Sequence, residues 1–351
     1  MTRFRVALTG DMRARDGGLA YPMVDLSPLT RTGRIDIGFV PVPLEKIVRA
    51  SDLEDFDALI LCECGVGIDS VPASGRLAVV ARFGVGFDDI ALDAMTASGV
   101  LVTNAPGGVR RPMAVGVLAL LFALANRVIE KIRLARQGRA GWARVADHLG
   151  IGFVGRTLGI VGLGSIGSEL VRLARPLDLR FIAYDPYVDP ARARSLGVEL
   201  VDLDELCRRA DFLSVNCPLN DETDGLISAR QIALMKPTAY FINTARGRIV
   251  DQAALTEALA MRRIAGAALD VFEVEPAPEN DPLMRLENVI VAPHAIGMTD
   301  QCFADIGRTS VAAVRAVMRG ETPENIVNRA VLNSPVLRAK LRGFSEQFGG
   351  A

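Results

Sequence analysis

Leu158-Gly159-Ile160-Val161-Gly162-Leu163-Gly164-Ser165-Ile166-Gly167 is an apolar run that leads directly into the pattern G-x-G-x-x-G, and it is the strongest indication of the fold. The residues that follow, up to Ala174, have helical spacing, so the glycines lie where a strand turns into a helix. In that position Gly162 permits the tight turn, Gly164 lets a pyrophosphate approach the backbone, and Gly167 lets the helix pack close to the strand. The helix N-terminus offers free N–H groups and the positive end of its dipole to phosphates. The segment therefore predicts a dinucleotide site.

The next predicted strand indicates which dinucleotide binds. Residues 181–184 lead into Asp185, 18 residues after Gly167, where a carboxylate can accept hydrogen bonds from the adenosine ribose. A carboxylate repels a 2′-phosphate, so we predict NAD as the cofactor in preference to NADP. Arg192 and Arg194 follow a little further on and leave some use of NADP open.

On both sides of this segment, short apolar runs alternate with helical segments. We predict strands at residues 4–9, 58–62, 77–83 and 100–104, then from Thr157 and near Phe181, Phe212, Ala239, Ala267 and Val289. Such alternation predicts parallel sheets with helical crossovers, and 351 residues exceed the usual size of one core. We therefore predict an α/β fold of two Rossmann-like or flavodoxin-like domains, with the active site in the cleft between them.

Two helices define the expected domain boundaries. A long apolar helix is predicted from about residue 111 to 137, entered through a loop at 105–108 and with Pro112 in its first turn. A second helix, from about 299 to 319, should return to the first domain and be followed by a polar tail containing Pro323 and Pro335. The predicted domains are residues 1–106 with 300–351, which bind substrate, and residues 107–299, which bind NAD.

The composition argues against several classes of partner. With 40 basic and 41 acidic side chains the net charge is −1, which attracts neither nucleic acid nor anionic membrane. The longest apolar run, 113–125, has 13 residues, fewer than the ~20 that span a bilayer. No apolar signal segment follows Met1, so a cytoplasmic location is expected. The five scattered cysteines, including the Cys62 and Cys64 pair, with only two histidines predict reduced thiols and no metal site.

A histidine is the expected proton carrier. Oxidation of an alcohol needs a base for the hydroxyl proton, and histidine suits this near neutral pH. His148 lies in a polar connector, whereas His294 follows the apolar run 289–292, at the sheet edge where open α/β sheets bind ligands. We therefore predict that His294 carries the proton.

Arg246 and Glu275 follow the neighbouring predicted strands, at 239–242 and 265–269. A guanidinium can clamp a substrate carboxylate with two hydrogen bonds, and a carboxylate near His294 favours the imidazolium and fixes the tautomer. Taken singly, such residues are more often a surface ion pair and a solvated loop side chain. Their convergence on one sheet edge favours the catalytic interpretation.

These residues resemble the D-isomer-specific 2-hydroxyacid dehydrogenase family. The resemblance runs from the segment 81–88 to the segment 325–328 and is most specific at the glycine loop, Asn243-Thr244-Ala245-Arg246-Gly247, Asp270-Val271-Phe272 with Glu275-Pro276, and Pro293-His294. It implies that Arg246, Glu275 and His294 are catalytic, and that the backbone amides of Val85 and Gly86 help to hold the substrate carboxylate.

The resemblance also implies an activity and a set of cofactor contacts. The activity is the NAD-dependent interconversion of a D-2-hydroxy acid and its 2-oxo acid, with substrates like those of glyoxylate or hydroxypyruvate reductases or of phosphoglycerate dehydrogenases. A homodimer joined through the helix after Pro112 is implied too. The implied cofactor contacts are Ser165, Ile166, Asp185, Cys217, Pro218, Thr223, Thr244, Ala245, Asp270, His294 and Gly297.

Several alternatives remain open from the sequence. Phe83 and Phe87 suggest an apolar wall for the substrate, while Arg110 and Arg111 could meet a second substrate anion, although solvated surface arginines are commoner. A formate or phosphite dehydrogenase could use this scaffold, but a formate enzyme is expected to have Gln where Glu275 stands. An NAD-sensing binding protein related to the dehydrogenase-like corepressors could also retain the three catalytic residues.

Overall fold

The computed structural model describes residues 3–31 and 33–349, and the chain divides into two compact units. Unit 1 comprises Met1–Val109 and Thr299–Ala351, and unit 2 comprises Arg110–Met298. The predicted domains, 1–106 with 300–351 and 107–299, differ from these units by a few residues. Residues 1, 2, 32, 350 and 351 of the predicted first domain lie outside the described residues.

Twelve strands, thirteen α-helices and seven 3-10 segments are described in these parts of the chain. The strands are β1 Phe4–Thr9, β2 Ile35–Val40, β3 Ala58–Leu61, β4 Val79–Arg82, β5 Leu101–Thr103, β6 Thr157–Val161, β7 Arg180–Tyr184, β8 Val198–Leu200, β9 Phe212–Val215, β10 Tyr240–Asn243, β11 Gly266–Leu269 and β12 Val289–Val291. The α-helices are α1 Ser27–Thr30, α2 Ala50–Leu53, α3 Leu92–Ala97, α4 Pro106–Ala125, α5 Val128–Arg136, α6 Arg139–Trp142, α7 Ser165–Ala174, α8 Pro190–Ser195, α9 Leu203–Arg209, α10 Ala229–Leu234, α11 Gln252–Ala260, α12 Asp300–Met318 and α13 Pro335–Phe348. The 3-10 segments are Gly10–Met12, Ile68–Ser70, Val145–His148, Arg175–Leu177, Gly247–Ile249, Pro282–Arg285 and Arg329–Asn333.

Unit 1 is built on a five-stranded parallel sheet in the order β2-β1-β3-β4-β5. This order is flavodoxin-like, and the predicted strands β1, β3, β4 and β5 are confirmed. Strand β2 was not predicted, because Asp36 and Gly38 interrupt its apolar pattern. A strand at the edge of a sheet tolerates such residues, since it pairs on one side only.

The C-terminal part of unit 1 is helical where a polar tail was predicted. Helix α12 confirms the predicted helix, but α13 was not predicted, although Ser334 caps it and Pro335 occupies its first turn. That pair is a helix-start signal. The rings of Phe344 and Phe348 in α13 pack edge-on against buried Phe4 at 5.1 and 5.9 Å, so α13 completes the core of unit 1.

Unit 2 is built on a seven-stranded parallel sheet in the order β12-β11-β10-β9-β6-β7-β8. The chain runs outward from β6 in one direction through β7 and β8, and in the other from β9 to β12. This is the doubly wound arrangement, whose switch point between β6 and β9 is where such sheets bind ligands. The predicted strands are confirmed, except that the three-residue edge strand β8 was not predicted.

Helices cover both faces of this sheet, which explains why its strands are apolar on both sides. Phe241 and Leu213 point to the face covered by α9, α10 and α11. Ile242 and Phe212, the adjacent residues in the same strands, point to the face covered by α4, α7 and α8. The sheet is therefore buried on both sides, and only its edges and loops are left for ligands.

The long apolar helix differs from its prediction at both ends. It begins at Pro106, so the predicted entry loop is helical and Pro112 lies inside the helix, where the first-turn prediction was wrong. Pro106 takes the first position, which suits a residue without an N–H group. The helix ends at Ala125, because Arg127 adopts a left-handed backbone with φ of +51° and α5 starts after it.

By length and composition α4 is one helix that could cross a membrane, with half of its most apolar window buried. The helical segment is longer than the 13-residue apolar run considered in the sequence. Its inner face, including Val117, Leu121 and Leu124, belongs to the core of unit 2. A core helix of this kind passes the same test.

Candidate active site

Unit 2 brings the predicted proton carrier His294 together with Glu275. His294 follows β12 and Glu275 follows β11, which is the neighbouring strand. The Nδ1 atom of His294 lies 2.8 Å from Oε2 of Glu275, and the imidazole is 48% exposed. Among the described residues, nothing hydrogen-bonds to its Nε2. The imidazole is therefore held at one nitrogen and accessible at the other.

Asp270 fixes the turn that carries His294. Its carbonyl oxygen accepts a hydrogen bond from the amide of His294 at 2.8 Å, and its buried carboxylate accepts from the amides of Ala295 and Ile296 at 2.8 and 3.1 Å. His294 has a φ of +54°, which a non-glycine residue adopts only with tertiary support. Burial raises the pKa of the Asp270 carboxyl. Asp270 was predicted only as a cofactor contact, so this supporting role is an addition from the structure.

Glu275 is ionised beside the imidazole. Burial opposes its charge, but hydrogen bonds from His294 and from the amide of Phe272, together with the positive charge of Arg246, hold the pKa of Glu275 below its ordinary value. The Phe272 amide donates to Oε1 at 2.9 Å. A carboxylate at Nδ1 requires a proton on that nitrogen, so it fixes the tautomer and stabilises the imidazolium.

Arg246 follows β10 in a turn with internal support. The side-chain amide of buried Asn243 donates to the carbonyl oxygen of Arg246 at 2.9 Å. The next residue, Gly247, packs so closely on the loop after β11 that an added Cβ would lie 1.9 Å from the carbonyl carbon of Phe272. Only glycine fits there. Because β10, β11 and β12 are neighbours, Arg246, Glu275 and His294 follow three adjacent strands at one sheet edge.

The glycine loop has the geometry that a dinucleotide pyrophosphate requires. Gly162 has a φ of +90°, and an added Cβ would lie 2.8 Å from the amide nitrogen of Cys217, across the switch point between β6 and β9. A Cβ on Gly167 would lie 2.3 Å from the carbonyl oxygen of Gly162. A Cβ on Gly164 would meet nothing within 4 Å, and no side chain caps the first turn of α7. These residues therefore fit a phosphate group at the helix N-terminus.

Asp185 lies at the end of β7, beside this loop. Its Oδ2 accepts a hydrogen bond from the amide of Leu163 at 2.8 Å, and its Oδ1 accepts from the amide of Tyr187 at 2.9 Å. A carboxylate has about four acceptor positions, so Asp185 can also accept from ribose hydroxyls. Arg192 donates to the hydroxyl of Ser168 at 3.3 Å, which places one cation near the start of α7.

The remaining predicted cofactor residues of unit 2 follow strands at the same edge. Among these residues, the hydroxyl of Thr223 donates to the carbonyl oxygen of Pro218 at 2.7 Å, and this hydrogen bond closes the loop after β9. Their contact with the cofactor stays a prediction. They are Ser165 and Ile166 at the start of α7, Cys217, Pro218 and Thr223 after β9, Thr244 and Ala245 after β10, and Gly297 after β12.

Val85 and Gly86 belong to unit 1, in the loop after β4, and are partly exposed. Phe83, in the same loop, is 4% exposed and packs with its ring 5.6 Å from that of Phe303. Phe303 in turn stacks on Tyr21 at 4.3 Å. The expectation that Phe83 lines an open apolar wall is therefore wrong, because its ring is part of a buried aromatic stack.

Arg111 is an exposed cation that already has a partner. Its side chain is 58% exposed, as expected for a surface arginine. Its Nη1 donates to Oε1 of Glu169 at 3.0 Å, and Arg172 donates to the same carboxylate at 2.7 and 3.0 Å. Hydrogen bonds from Arg172 and then from Arg111 lower the pKa of Glu169 to about 2. Arg111 and Arg172 therefore share the single negative charge of Glu169.

The cysteines are all free thiols. Burial raises the pKa of Cys62 and raises that of Cys64 to about 11, so both thiols are protonated near neutral pH. In residues 3–31 and 33–349, no group of three or more His, Cys, Asp or Glu side chains could hold a metal ion.

Comparisons with known proteins agree with this geometry. The family model described as D-isomer specific 2-hydroxyacid dehydrogenase, NAD binding domain, matches residues 118–295. The chain is 39% identical over 316 residues to a glyoxylate reductase of Korarchaeum cryptofilum (strain OPF8), covering 89% of this chain and 94% of that relative. It is 39% identical over 298 residues to a D-3-phosphoglycerate dehydrogenase of Methanocaldococcus jannaschii, covering 84% of this chain but only 56% of the relative.

A solved structure of a dehydrogenase also matches this chain over most of its length. The holo form of Rhodotorula graminis D-mandelate dehydrogenase has a TM-score of 0.77 and 28% identity, covering 93% of this chain and 98% of that one. The chain therefore belongs to the D-isomer-specific 2-hydroxyacid dehydrogenase family and is an NAD-dependent oxidoreductase that interconverts 2-hydroxy and 2-oxo acids.

Proposed function

We propose that this chain reduces a small 2-oxo acid to the D-2-hydroxy acid, and catalyses the reverse oxidation, with His294 as general acid and base. The observation that carries the proposal is the 2.8 Å contact between Nδ1 of His294 and Oε2 of Glu275, on an imidazole that is half exposed. A general acid must be fixed in place and still reach the substrate. His294 meets both requirements.

In reduction, protonated His294 donates the proton on Nε2 to the carbonyl oxygen of the substrate as a hydride reaches C2. In oxidation, the neutral Nε2 takes the hydroxyl proton as the hydride leaves C2. Glu275 stabilises the imidazolium in both directions. When bound, the cofactor would supply the hydride in reduction as NADH and take it up in oxidation as NAD. The first turn of α7 and Asp185 are the groups that would hold this cofactor.

Two groups are proposed to hold the substrate carboxylate. The first is the guanidinium of Arg246, whose planar fork matches a carboxylate and whose charge is close enough to lower the pKa of Glu275. The second is the pair of backbone amides of Val85 and Gly86, in unit 1. Together they would select a substrate with a carboxylate next to the reacting carbon.

We favour as substrate a 2-oxo acid whose side chain is small and uncharged. Arg111, a candidate for binding a second substrate anion, is already paired with Glu169 at 3.0 Å. The glyoxylate reductase relative is matched over nearly its whole length, whereas the chain spans just over half of the phosphoglycerate dehydrogenase relative. We therefore propose glyoxylate or hydroxypyruvate rather than a phosphorylated acid.

We also propose that the active form is a homodimer in the cytoplasm. In unit 2, α5 packs against α6 and against Val145–His148, and these helices expose large apolar side chains. A second copy of the chain would cover them, as exposed apolar clusters usually mark an interface. The five free thiols fit a reducing compartment. The exposed residues are Val128, Ile132, Trp142, Val145 and Leu149.

An NADH-consumption screen tests the proposed activity. The purified chain is assayed with glyoxylate, hydroxypyruvate, pyruvate, phenylpyruvate and 2-oxoglutarate, with His294→Asn as the matched variant. We expect turnover of glyoxylate or hydroxypyruvate and a fall in kcat of at least ~10²-fold in the variant, while its NADH affinity, measured by calorimetry, is unchanged.

Three outcomes would reject the proposal. Full activity in His294→Asn would remove His294 from the reaction. Tight NADH binding by the wild-type chain with no turnover of any 2-oxo acid would favour an NAD-sensing binding protein of the corepressor type. Turnover of formate or phosphite instead would favour the alternative dehydrogenase, against which Glu275 argues.

A further inference from the structure

Arg82, the last residue of β4, folds its guanidinium back under the loop formed by residues 83–86, which we call the amide loop. Its Nη1 donates to the carbonyl oxygen of Phe83 at 3.0 Å, and its Nε donates to that of Gly86 at 3.0 Å. Nη1 also donates to the carbonyl oxygen of Cys62, at the end of β3. One side chain therefore holds both ends of the amide loop and ties them to the neighbouring strand.

The other two carbonyl groups of the amide loop are bound from the segment after β5. The side-chain amide of Asn104 donates to the carbonyl oxygen of Val85 at 2.9 Å, and the backbone amide of Ala105 donates to that of Gly84 at 2.8 Å. Since β5 is the neighbour of β4, this support belongs to unit 1 itself. All four carbonyl groups of the loop are thus engaged by unit 1.

The amide groups of the same loop divide into two pairs. The amides of Phe83 and Gly84 donate to the carbonyl oxygens of Leu61 and Arg82, at 2.7 and 2.9 Å. Those of Val85 and Gly86 have no hydrogen-bond partner among the residues that the structure describes. Successive free N–H groups form an anion-binding concavity.

Arg82 adds charge to this arrangement. Within the described part of the chain it forms no ion pair, so its positive charge is not cancelled beside the free amides. Its Nε and Nη1 donate to carbonyl oxygens of the backbone. The planar fork of arginine suits several carbonyl groups at once, whereas a lysine ammonium has no such geometry.

From this arrangement we infer that Arg82 and Asn104 are positioning residues for the substrate carboxylate. They hold the carbonyl groups of the amide loop inward, and this leaves the amides of Val85 and Gly86 free to bind the anion. The inference rests on the proposed function, in which those amides bind the carboxylate. It assigns the Nε and Nη1 donors of Arg82 to the loop backbone.

The test compares Arg82→Gln, Arg82→Lys and Asn104→Ala with the wild-type chain. A matched control is Arg76→Gln, which removes a guanidinium elsewhere in unit 1, where Arg76 pairs with buried Asp57 at 3.0 Å. For each protein we measure KM and kcat for the best 2-oxo acid at saturating NADH, the inhibition constant of oxamate, the Kd of NADH, and Tm.

We expect KM and the oxamate inhibition constant to rise together by about tenfold in Arg82→Gln and Asn104→Ala, with a smaller change in kcat and an unchanged Kd for NADH. Arg82→Lys should remain defective, because it keeps the charge without the geometry. Arg76→Gln should lower Tm and leave KM unchanged. If Arg82→Gln does not fold, Asn104→Ala provides the same test.

Folded variants at Arg82 and Asn104 with wild-type KM and oxamate inhibition would overturn the inference while leaving the proposed function in place. An equal rise of KM in Arg76→Gln would overturn it as well, since general loosening of unit 1 would then explain the effect. A wild-type chain that reduces no 2-oxo acid and does not bind oxamate with NADH would overturn both the inference and the proposed function.

Discussion

His294 depends on two carboxylates whose environments differ. Asp270 is buried, its pKa is raised by burial, and its carboxylate accepts hydrogen bonds from the two backbone amides that follow His294. Glu275 is half-buried, and its hydrogen bonds from His294 and Phe272 outweigh burial, so its pKa is lowered. Such divergence between neighbouring carboxyl groups separates their roles. Asp270 supports the backbone, and Glu275 provides the charge that the imidazolium needs.

Replacing Glu275 by Gln should keep the shape of this contact and remove its charge. We expect kcat for reduction to fall about 10- to 100-fold near neutral pH, and the alkaline limb of its pH profile to move to lower pH, because the imidazolium loses its counter-charge. The pKa of Glu275 is lowered in the folded chain. Its effect is therefore present throughout the pH range of the measurement and is lost only as pH falls through that lowered pKa.

The measurement is kcat from about pH 5 to pH 9 at saturating NADH. Glu273→Gln is the matched control, since Glu273 is exposed and lies two residues away in the same loop. Its profile should match that of the wild type. An alkaline limb that does not move in Glu275→Gln would mean that the carboxylate does not stabilise the charged imidazole.

The carboxylate of Glu169 joins helices α4 and α7, because an arginine from each helix is bonded to it. Glu169 in α7 has only 8% of its side chain exposed, and it is bonded to Arg111 of α4 and to Arg172 one turn further along α7. Both helices pack on the same face of the seven-stranded sheet. The ion pair therefore joins α4, the helix that contains the unit boundary, to α7, the helix that follows the first glycines of the cofactor loop.

Glu169→Gln should lower the free energy of unfolding at pH 7 by about 1–2 kcal/mol. The effect stays moderate because both arginines are more than half exposed, at 58% and 55%, and are not left buried. The pKa of Glu169 falls from 4.5 to about 2 on folding. The stabilisation is therefore complete above 4.5 and is lost as pH falls from 4.5 towards 2.

Urea unfolding at a series of pH values measures this difference. The gap between the variant and the wild type should close in acid. Glu199→Gln is the control, because Glu199 also pairs with an arginine, Arg209, but is 56% exposed; it should change the unfolding free energy by less than about 0.5 kcal/mol. A gap for Glu169→Gln that persists at about pH 2 would argue for lost packing instead.

At the scale of the whole molecule, the exposed apolar side chains near α5, α6 and Val145–His148 are relevant to the proposed association of two copies of the chain. Trp142 is 71% exposed and Leu149 is 73% exposed, although large apolar side chains are usually buried. Helix α5 contacts both α6 and Val145–His148 in unit 2, so the exposed groups are not scattered singly. This is the surface that we assign to a second copy of the chain.

Trp142→Lys together with Ile132→Lys should convert the proposed dimer to a monomer, because two ammonium groups would have to be buried in the proposed interface. Size-exclusion chromatography with light scattering measures the mass. Leu44→Lys is the control, since Leu44 is fully exposed on unit 1, and it should leave the mass unchanged. A wild-type monomer, or a double variant that remains a dimer, would place the interface elsewhere or remove it.

Local sequence patterns were sufficient to predict the doubly wound fold, the glycine loop and the strand ends that carry Arg246, Glu275 and His294. Parallel strands bring their carboxyl ends to one edge of the sheet whatever the details of packing, so the site follows from the strands alone. The short edge strands β2 and β8 and helix α13 escaped prediction, because three to six residues or an unrecognised cap leave little pattern to interpret.

The support of the loops, in contrast, depends on tertiary contacts. Arg111 and Glu169 are 58 positions apart in the chain, and Arg82 reaches a carbonyl group at the end of another strand. The support of His294 by Asp270 depends likewise on two loops that meet only in the folded sheet. Hydrogen bonds between distant residues follow from the packing of the sheet and its helices, and no local spacing encodes them.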